Sequence, residues 1–315
     1  MNSISSIANN NFNFPEGFAM PAEWEKHEAT WFSWPHNPET WPRDGKYQAM
    51  IVAYCEIIKI LAGFERVNIN VNGIQNEEEA KRCLEKAGAD LNKISFFHFK
   101  TNDSWCRDHG PIFVKNRAGE KAIIDWEYNA WGGKYPPFDD DNRIPQQIAK
   151  FKGLPFYSPG IVMEGGSLEV NGKGTLLTTR ACLLNKNRNP HLDQSQIEGY
   201  LKKYLGVNHI LWLEDGIVGD DTDGHIDDLS RFVNENTIVT VVEHNKHDEN
   251  FHILKENTET LALFKDQDGK PFNIVELPMP GPVYMDGIRL PASYANFLIA
   301  NGVVIVPVFK DKKDE

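Results

Sequence analysis

The 315-residue chain reads as an α/β protein built from a repeated supersecondary unit arranged around a centre. Three observations lead there. Helix-periodic and strand-like segments alternate along the chain. Four hairpin-like segments recur with their turns roughly 55–65 residues apart, a period that suggests a repeated unit rather than unrelated hairpins. No stretch reads as a linker: the prolines are scattered, and the longest loop-like run, YPPFDDDNR at Tyr135–Arg143, is too short to separate domains.

The elements follow in order. Gly45–Gly63 is predicted as a helix because Met50, Ile51, Tyr54, Ile57, Ile58 and Leu61 fall on one face. Val67–Val71 reads as a strand, and Asn76–Ala87 as a helix that opens on Glu77, Glu78 and Glu79. Ile94–Phe99 is a further strand. The hairpins pair Ile112–Val114 with Ala122–Trp126, Ser167–Val170 with Thr175–Thr179, Ser230–Val233 with Thr237–Val242, and Asn296–Ile299 with Val303–Val308, through Gly- or Asn-bearing turns. Ser195–Tyr204 reads as a helix filling one interval. The chain stops soon after the fourth hairpin, so the last unit is expected to be incomplete.

The remaining composition excludes several classes. Thirty-three Lys and Arg against 45 Asp and Glu leave a net charge of −12. Such a body repels phosphate backbones, so no nucleic-acid partner is expected, and it attracts cations. Cys55, Cys83, Cys106 and Cys182 show neither CxxC spacing nor a disulfide framework. No apolar run approaches the ~18 residues of a membrane span. Residues 1–17 are polar and Asn-rich, without a basic or apolar signal region, and are expected to form a disordered leader. The rest, 18–315, reads as a single catalytic domain in a cytoplasmic protein. Homo-oligomerisation stays open.

Polar clusters precede the first three hairpins. Asp108 stands in WCRDHGP (Trp105–Pro111), Glu164 begins EGG, and His225 and Asp227 lie in DTDGHIDD (Asp221–Asp228). Hairpin entrances facing a common centre would gather Asp108, Glu164, His225 and Asp227 in one pocket. Crowded carboxylates call for a cation, and a planar guanidinium matches them through paired N–H···O bonds. His225 and Asp227 alternate on a segment read as extended, which puts them on one face, and a histidine beside a carboxylate suits general acid–base work. Trp105 and Trp131, in polar and Gly-rich surroundings, are candidates to stack on a flat cation, whereas Trp24, Trp31, Trp34 and Trp41 read as core. Each piece also has a plainer reading. Arg107–Asp108 fits a structural ion pair, and the acidic run around His225 fits a solvated loop or a divalent-metal site, though not an EF-hand. A lone histidine supports zinc or iron poorly. There is no Walker loop, no GxGxxG after a strand and no GxSxG, which removes nucleotide and serine-hydrolase readings.

Six segments taken together resemble one family. They are Met20–Pro35, Asn102–Val114 (NDSWCRDHGPIFV), Asn129–Asp141 (NAWGGKYPPFDDD), Glu164–Pro190 (EGGSLEVNGKGTLLTTRACLLNKNRNP), Asp221–Val233 (DTDGHIDDLSRFV) and Leu290–Phe309. The chain is identified on them as a member of the agmatine deiminases of the guanidine-modifying, or pentein, superfamily. The resemblance implies a five-bladed α/β propeller of ββαβ-type units. It implies hydrolysis of agmatine to N-carbamoylputrescine and ammonia, a step of putrescine biosynthesis, without metal or organic cofactor. Asp108 and Asp227 would grip the guanidinium nitrogens, His225 would shuttle protons, Glu164 would bind the guanidinium or orient His225, and Trp105 would line the pocket. The family's nucleophilic cysteine has no counterpart here: its position lies downstream of the segment matching Leu290–Phe309. Cys55 and Cys83 fall in predicted helices, Cys182 reads as packing, and strand alternation turns Cys106 away from Trp105 and Arg107. The nucleophile is therefore expected beyond Glu315. Two other functions stay open: a catalytically dead guanidinium-binding protein, and a deiminase of free or peptidyl arginine. A metal-dependent amidinohydrolase fits less well than either.

Overall fold

The computed structural model of the protein describes residues 14–41 and 45–315. Residues 1–13 of the expected leader lie outside the described residues. Phe14 packs edge-on to Tyr157, with ring centroids 5.0 Å apart, and against Phe18 and Tyr204.

The first unit holds β1 (Ala29–Ser33), α1 (Gly45–Ala62), β2 (Arg66–Asn70), α2 (Ile74–Ala87) and β3 (Ile94–Phe97), with three parallel strands in the order β1-β2-β3. Helix α1 buries Ile51, Cys55, Ile58, Leu61 and Ala62 on the face that the sequence periodicity predicts. Helix α2 stops at Gly88, whose φ of 79° lets its amide reach back to the last turn.

Three units then repeat one plan: an antiparallel hairpin whose second strand is joined, after a helical crossover, by a parallel third. The second unit has α3 (Cys106–His109), β4 (Ile112–Lys115), β5 (Lys121–Ile124), α4 (Ala130–Gly133), α5 (Ile144–Lys152) and β6 (Phe156–Tyr157). The third has β7 (Glu169–Val170), β8 (Thr175–Thr179), α6 (Arg180–Leu183), α7 (Gln194–Leu205) and β9 (His209–Leu213). The fourth has β10 (Ser230–Asn234), β11 (Thr237–Val242), α8 (Phe251–Leu263) and β12 (Asn273–Pro278). After a ribbon of β13 (Tyr284–Met285) and β14 (Ile288–Arg289), the chain forms a last hairpin of β15 (Leu298–Ala300) and β16 (Val303–Ile305). All four hairpins expected from the turns are therefore present, with ends shifted by a few residues.

The crossover helices cover apolar sheet faces, because a strand joined to a parallel neighbour needs a long connection that packs back on the sheet. Helix α7 is fixed at its start by a reciprocal cap, Asp193 accepting from the Gln196 amide and Gln196 accepting from the Asp193 amide. The last hairpin packs against the first unit: Leu298, Val303 and Ile305 join the core of α1, β2 and α2. Asn301 adds a polar tie, its amide donating to Glu65 and its side chain bonding both backbone groups of His27.

Two local expectations fail. Cys106–His109 is one helical turn rather than an extended run, and Ile226–Asp228 is a 3₁₀ turn. Neither segment has a strand to pair with, so each satisfies its amides locally: Gly110 N–H donates to the Cys106 carbonyl and Leu229 N–H to that of Ile226. Among the described residues, no helix is long and apolar enough to cross a membrane.

Candidate functional site

The same structural position recurs at the start of three hairpins. Asp108 sits in the turn before β4, Glu164 precedes the 3₁₀ turn Gly165–Ser167 before β7, and His225 precedes the turn before β10. The fold brings all four predicted polar residues together. His225 Nδ1 lies 3.6 Å from Asp108 Oδ1, and His225 Nε2 lies 3.9 Å from Glu164 Oε2. An atom placed as a Cβ on Gly166 would touch His225, Asp108 and Asp227 at once, so three of the four side chains border one point. His225 and Asp227 do share that point, but through a turn and not by strand alternation.

Asp108 is held from two sides. The Gly166 amide donates to Oδ1 at 2.9 Å and the Trp131 indole N–H to Oδ2 at 3.1 Å. Trp131 thus contributes its polar edge here. Its backbone is left-handed (φ 55°, ψ 47°), a conformation of higher energy for a bulky residue. Asn129 fixes that turn by accepting from the Gly132 amide at 2.8 Å. Trp105 is 40% exposed and meets Trp131 edge to face, with ring centroids 5.8 Å apart. On its other side stands Trp41, read from sequence as core, whose indole N–H donates to Asp103 and Ser104. These three rings make an aromatic wall beside the carboxylates.

Burial dominates the electrostatics. Desolvation pushes Asp108 above the usual carboxylate range, and Glu164 adds to it, while His225 and Arg107 oppose. Asp227 is likewise raised by burial and by Asp108, against the pull of Arg107 and His225. Burial alone would depress His225, yet Asp108, Asp227, Glu164 and Asp220 outweigh it and leave the imidazole above its ordinary value. Its Nε2 has no hydrogen-bond partner among the described residues. Arg107 does not form the expected pair with Asp108. Its guanidinium lies 3.2 Å from Glu23, 3.6 Å from Asp227 and 3.8 Å from Glu169 instead.

The cysteines are placed as follows. Cys55 and Cys83 sit in the core of the first unit. Burial pushes the Cys106 thiol up to about 12. Cys182 is not merely packing: its Sγ lies 3.9 Å from Glu164 Oε2, and Glu164, Cys182 and His225 bring one ligand atom each within 4.8 Å of one another. Burial, with Glu164 adding, raises that thiol well above its ordinary value, so it stays protonated and is a poor metal ligand and a poor nucleophile.

Residues 19–315 match the family model described as the Porphyromonas-type peptidyl-arginine deiminases. The chain belongs to that family. Within it, the chain is 38% identical over 322 residues to an agmatine deiminase of Pseudomonas fluorescens, covering 95% of this chain and 85% of that one. Among solved structures of this deiminase family, an agmatine deiminase of Enterococcus faecalis superposes with a TM-score of 0.86 at 33% identity, over 95% of this chain and 86% of that chain. A substrate-bound agmatine deiminase of C. jejuni gives 0.84 at 35%, over 96% and 86%.

Sequence reasoning missed Arg188, which is fully buried and bonded to Glu164. It stands inside the long EGG…NRNP segment, and a lone arginine in an Asn-rich loop carries no periodic or spacing signal. Gly166 stands in the EGG motif, and the structure shows its amide bonded to Asp108.

Proposed function

We propose that the protein is an agmatine deiminase of the cytoplasm, hydrolysing the guanidino group to N-carbamoylputrescine and ammonia. The observation that carries this reading is the convergence of Asp108, Glu164, Asp227 and His225 beside an aromatic wall. The pocket is rich in buried carboxylates, and a guanidinium offers each of them a planar pair of N–H donors. Asp108 and Asp227 clamp the guanidinium nitrogens, Glu164 faces it from the third side, and Trp105 and Trp131 flank it. Resonance makes the guanidinium carbon a poor electrophile, so clamping is combined with covalent catalysis. A cysteine thiolate adds to that carbon, His225 as imidazolium gives its proton to the departing ammonia, and the neutral imidazole then takes a proton from water. That water splits the amidino-thioether, releasing product and thiolate. The acidic neighbours that raise His225 suit it to the first of these proton transfers.

Cys106 and Cys182, the cysteines beside the site, are held as thiols by burial. The reading therefore calls for a thiolate that these cysteines do not supply. Agmatine is favoured over arginine by charge: Lys134, near the aromatic wall, is held by Asp223 at 2.8 Å and by the Asp221 carbonyl, leaving it engaged rather than open to an α-carboxylate.

Calorimetric titration of the chain with agmatine, arginine and a peptidyl arginine tests the substrate, and ammonia release tests the chemistry. Saturable agmatine binding that Asp108→Asn and Glu164→Gln abolish is expected, with ammonia release as the readout of the chemistry. Tighter binding of either arginine compound would overturn the choice of substrate.

A further inference from the structure

Arg188 joins two of the hairpin entrances that build the pocket. Its side chain is fully buried, and every arm of the guanidinium is used. Nε donates to Glu164 Oε1 at 2.5 Å, Nη1 to Asp223 Oδ2 at 2.7 Å and to Asn187 Oδ1 at 2.6 Å, and Nη2 to the Thr222 carbonyl at 2.9 Å. Glu164 belongs to the third unit's entrance, and Thr222 and Asp223 to the fourth's.

Both ends of this bridge lead straight to the site. With Oε1 of Glu164 taken by Arg188, Oε2 is the oxygen turned toward His225 Nε2 and Cys182 Sγ, each 3.9 Å away. At the other end, Asp223 has a left-handed backbone (φ 69°) and is followed by Gly224 at φ 91°, and these two residues turn the chain into His225. Asp223 carries no glycine's freedom, so the turn depends on its side-chain bonds. Lys134 Nζ and Asn187 Nδ2 also hold that carboxylate, at 2.8 and 2.9 Å. Glu164, by contrast, meets one guanidinium.

We propose that Arg188 is a positioning residue for deimination: it fixes which oxygen of Glu164 faces the pocket, and it sets the turn that delivers His225. The idea rests on the guanidino-substrate reading above. With Oε1 engaged by Arg188, Oε2 is left as the acceptor that a cationic substrate meets. Only a planar fork reaches a carboxylate, a second carboxylate and a carbonyl together; a lysine ammonium does not span all three.

The test uses ligand-free and agmatine-bound chain, with glutamate carboxyls labelled by ¹³C and Glu164 assigned through E164Q. In R188M the Glu164 carboxyl signal and the His225 ring ¹⁵N signals are expected to move from the parent's, with agmatine affinity falling by about fivefold or more, because both hairpin entrances lose their shared donor. In R188K the Glu164 signal should stay near the parent's, while the His225 ring ¹⁵N signals move and agmatine affinity falls by about fivefold or more, because the Thr222 carbonyl loses its donor. A native-like R188M that keeps the parent's Glu164 and His225 signals and agmatine affinity would overturn the proposal. So would a folded R188K that matches the parent in His225 signals and agmatine affinity, which decides the matter should R188M not fold. A parent chain that binds no agmatine would remove the substrate reading alone, since the Glu164 and His225 signals need no ligand.

Discussion

Gly166→Ala probes the pocket more directly than removing any charged group. Gly166 does not have a positive φ, so an alanine is acceptable to the backbone and the effect comes from the methyl group itself. That methyl would stand 2.6 Å from Asp108 Oδ1, 3.0 Å from Asp227 Oδ2, and closer still to His225 Nδ1. Ordinary contacts of this kind lie near 3.5 Å, so the three side chains must move by about 1 Å or the turn must tilt. The Gly166 amide also donates to Asp108, so a tilt displaces the same carboxylate that the methyl strikes. A misplacement of about 1 Å costs on the order of a hundredfold in function, or about 2.7 kcal/mol. Agmatine affinity measured by calorimetry is therefore expected to fall about a hundredfold, with a melting temperature lowered by a few degrees at most. Gly199→Ala serves as the control: it lies exposed within α7 with nothing near the added methyl, and should stabilise the helix by about 0.5–1 kcal/mol without touching affinity. Affinity of Gly166→Ala within about threefold of the parent would refute the placement of the pocket around this residue.

Trp131→Phe removes the N–H that Asp108 accepts and should weaken agmatine binding by about 1.5–3 kcal/mol, read by the same titration. Burial raises Asp141 from 3.8 to about 7, so its contribution to stability is full below about pH 3.8 and is lost as the pH rises through about 7. Asp141→Asn should accordingly gain on the parent between pH 5 and about 8 in urea melts; parallel curves would dismiss the shift. Arg231 bonds Glu169 at 2.8 Å, Glu23, and the carbonyls of Ala295 and Phe297, so Arg231→Met should cost about 3–5 kcal/mol of unfolding free energy, because it strands two carboxylates.

The hairpins were legible because a turn and the alternation around it are local properties, as NGKG shows at residues 171–174 between β7 and β8. The candidate acids were legible because each precedes a hairpin, and a repeat places equivalent positions at equivalent points. What sequence did not carry was the set of bonds between units. Arg107 was paired in prospect with its chain neighbour Asp108, but in the fold it faces Glu23, Glu169 and Asp227, from three different units. Trp131 presented itself as a stacking surface, and its strained turn directs the indole edge at Asp108 instead. Cys182 reads as packing from its apolar neighbours, yet α6 turns its sulfur toward Glu164. Such contacts depend on relative placement of units, for which no window of sequence holds a signal.

Glu23 has a consequence for the order in which the molecule forms. Its carboxylate meets Arg107 and Arg231 and accepts the Ile299 amide at 2.8 Å, a partner 276 positions further along the chain. Contacts of such long separation carry the largest chain-closure entropy and form only when intervening units are already condensed. Arg107 is shared by Glu23 and Asp227, so the pocket's charge arrangement matures with this final closure. Acids and arginines carried by separate units thus come into register only when the two ends of the described chain meet, which ties the charge balance around Asp227 to contact between the first and last units.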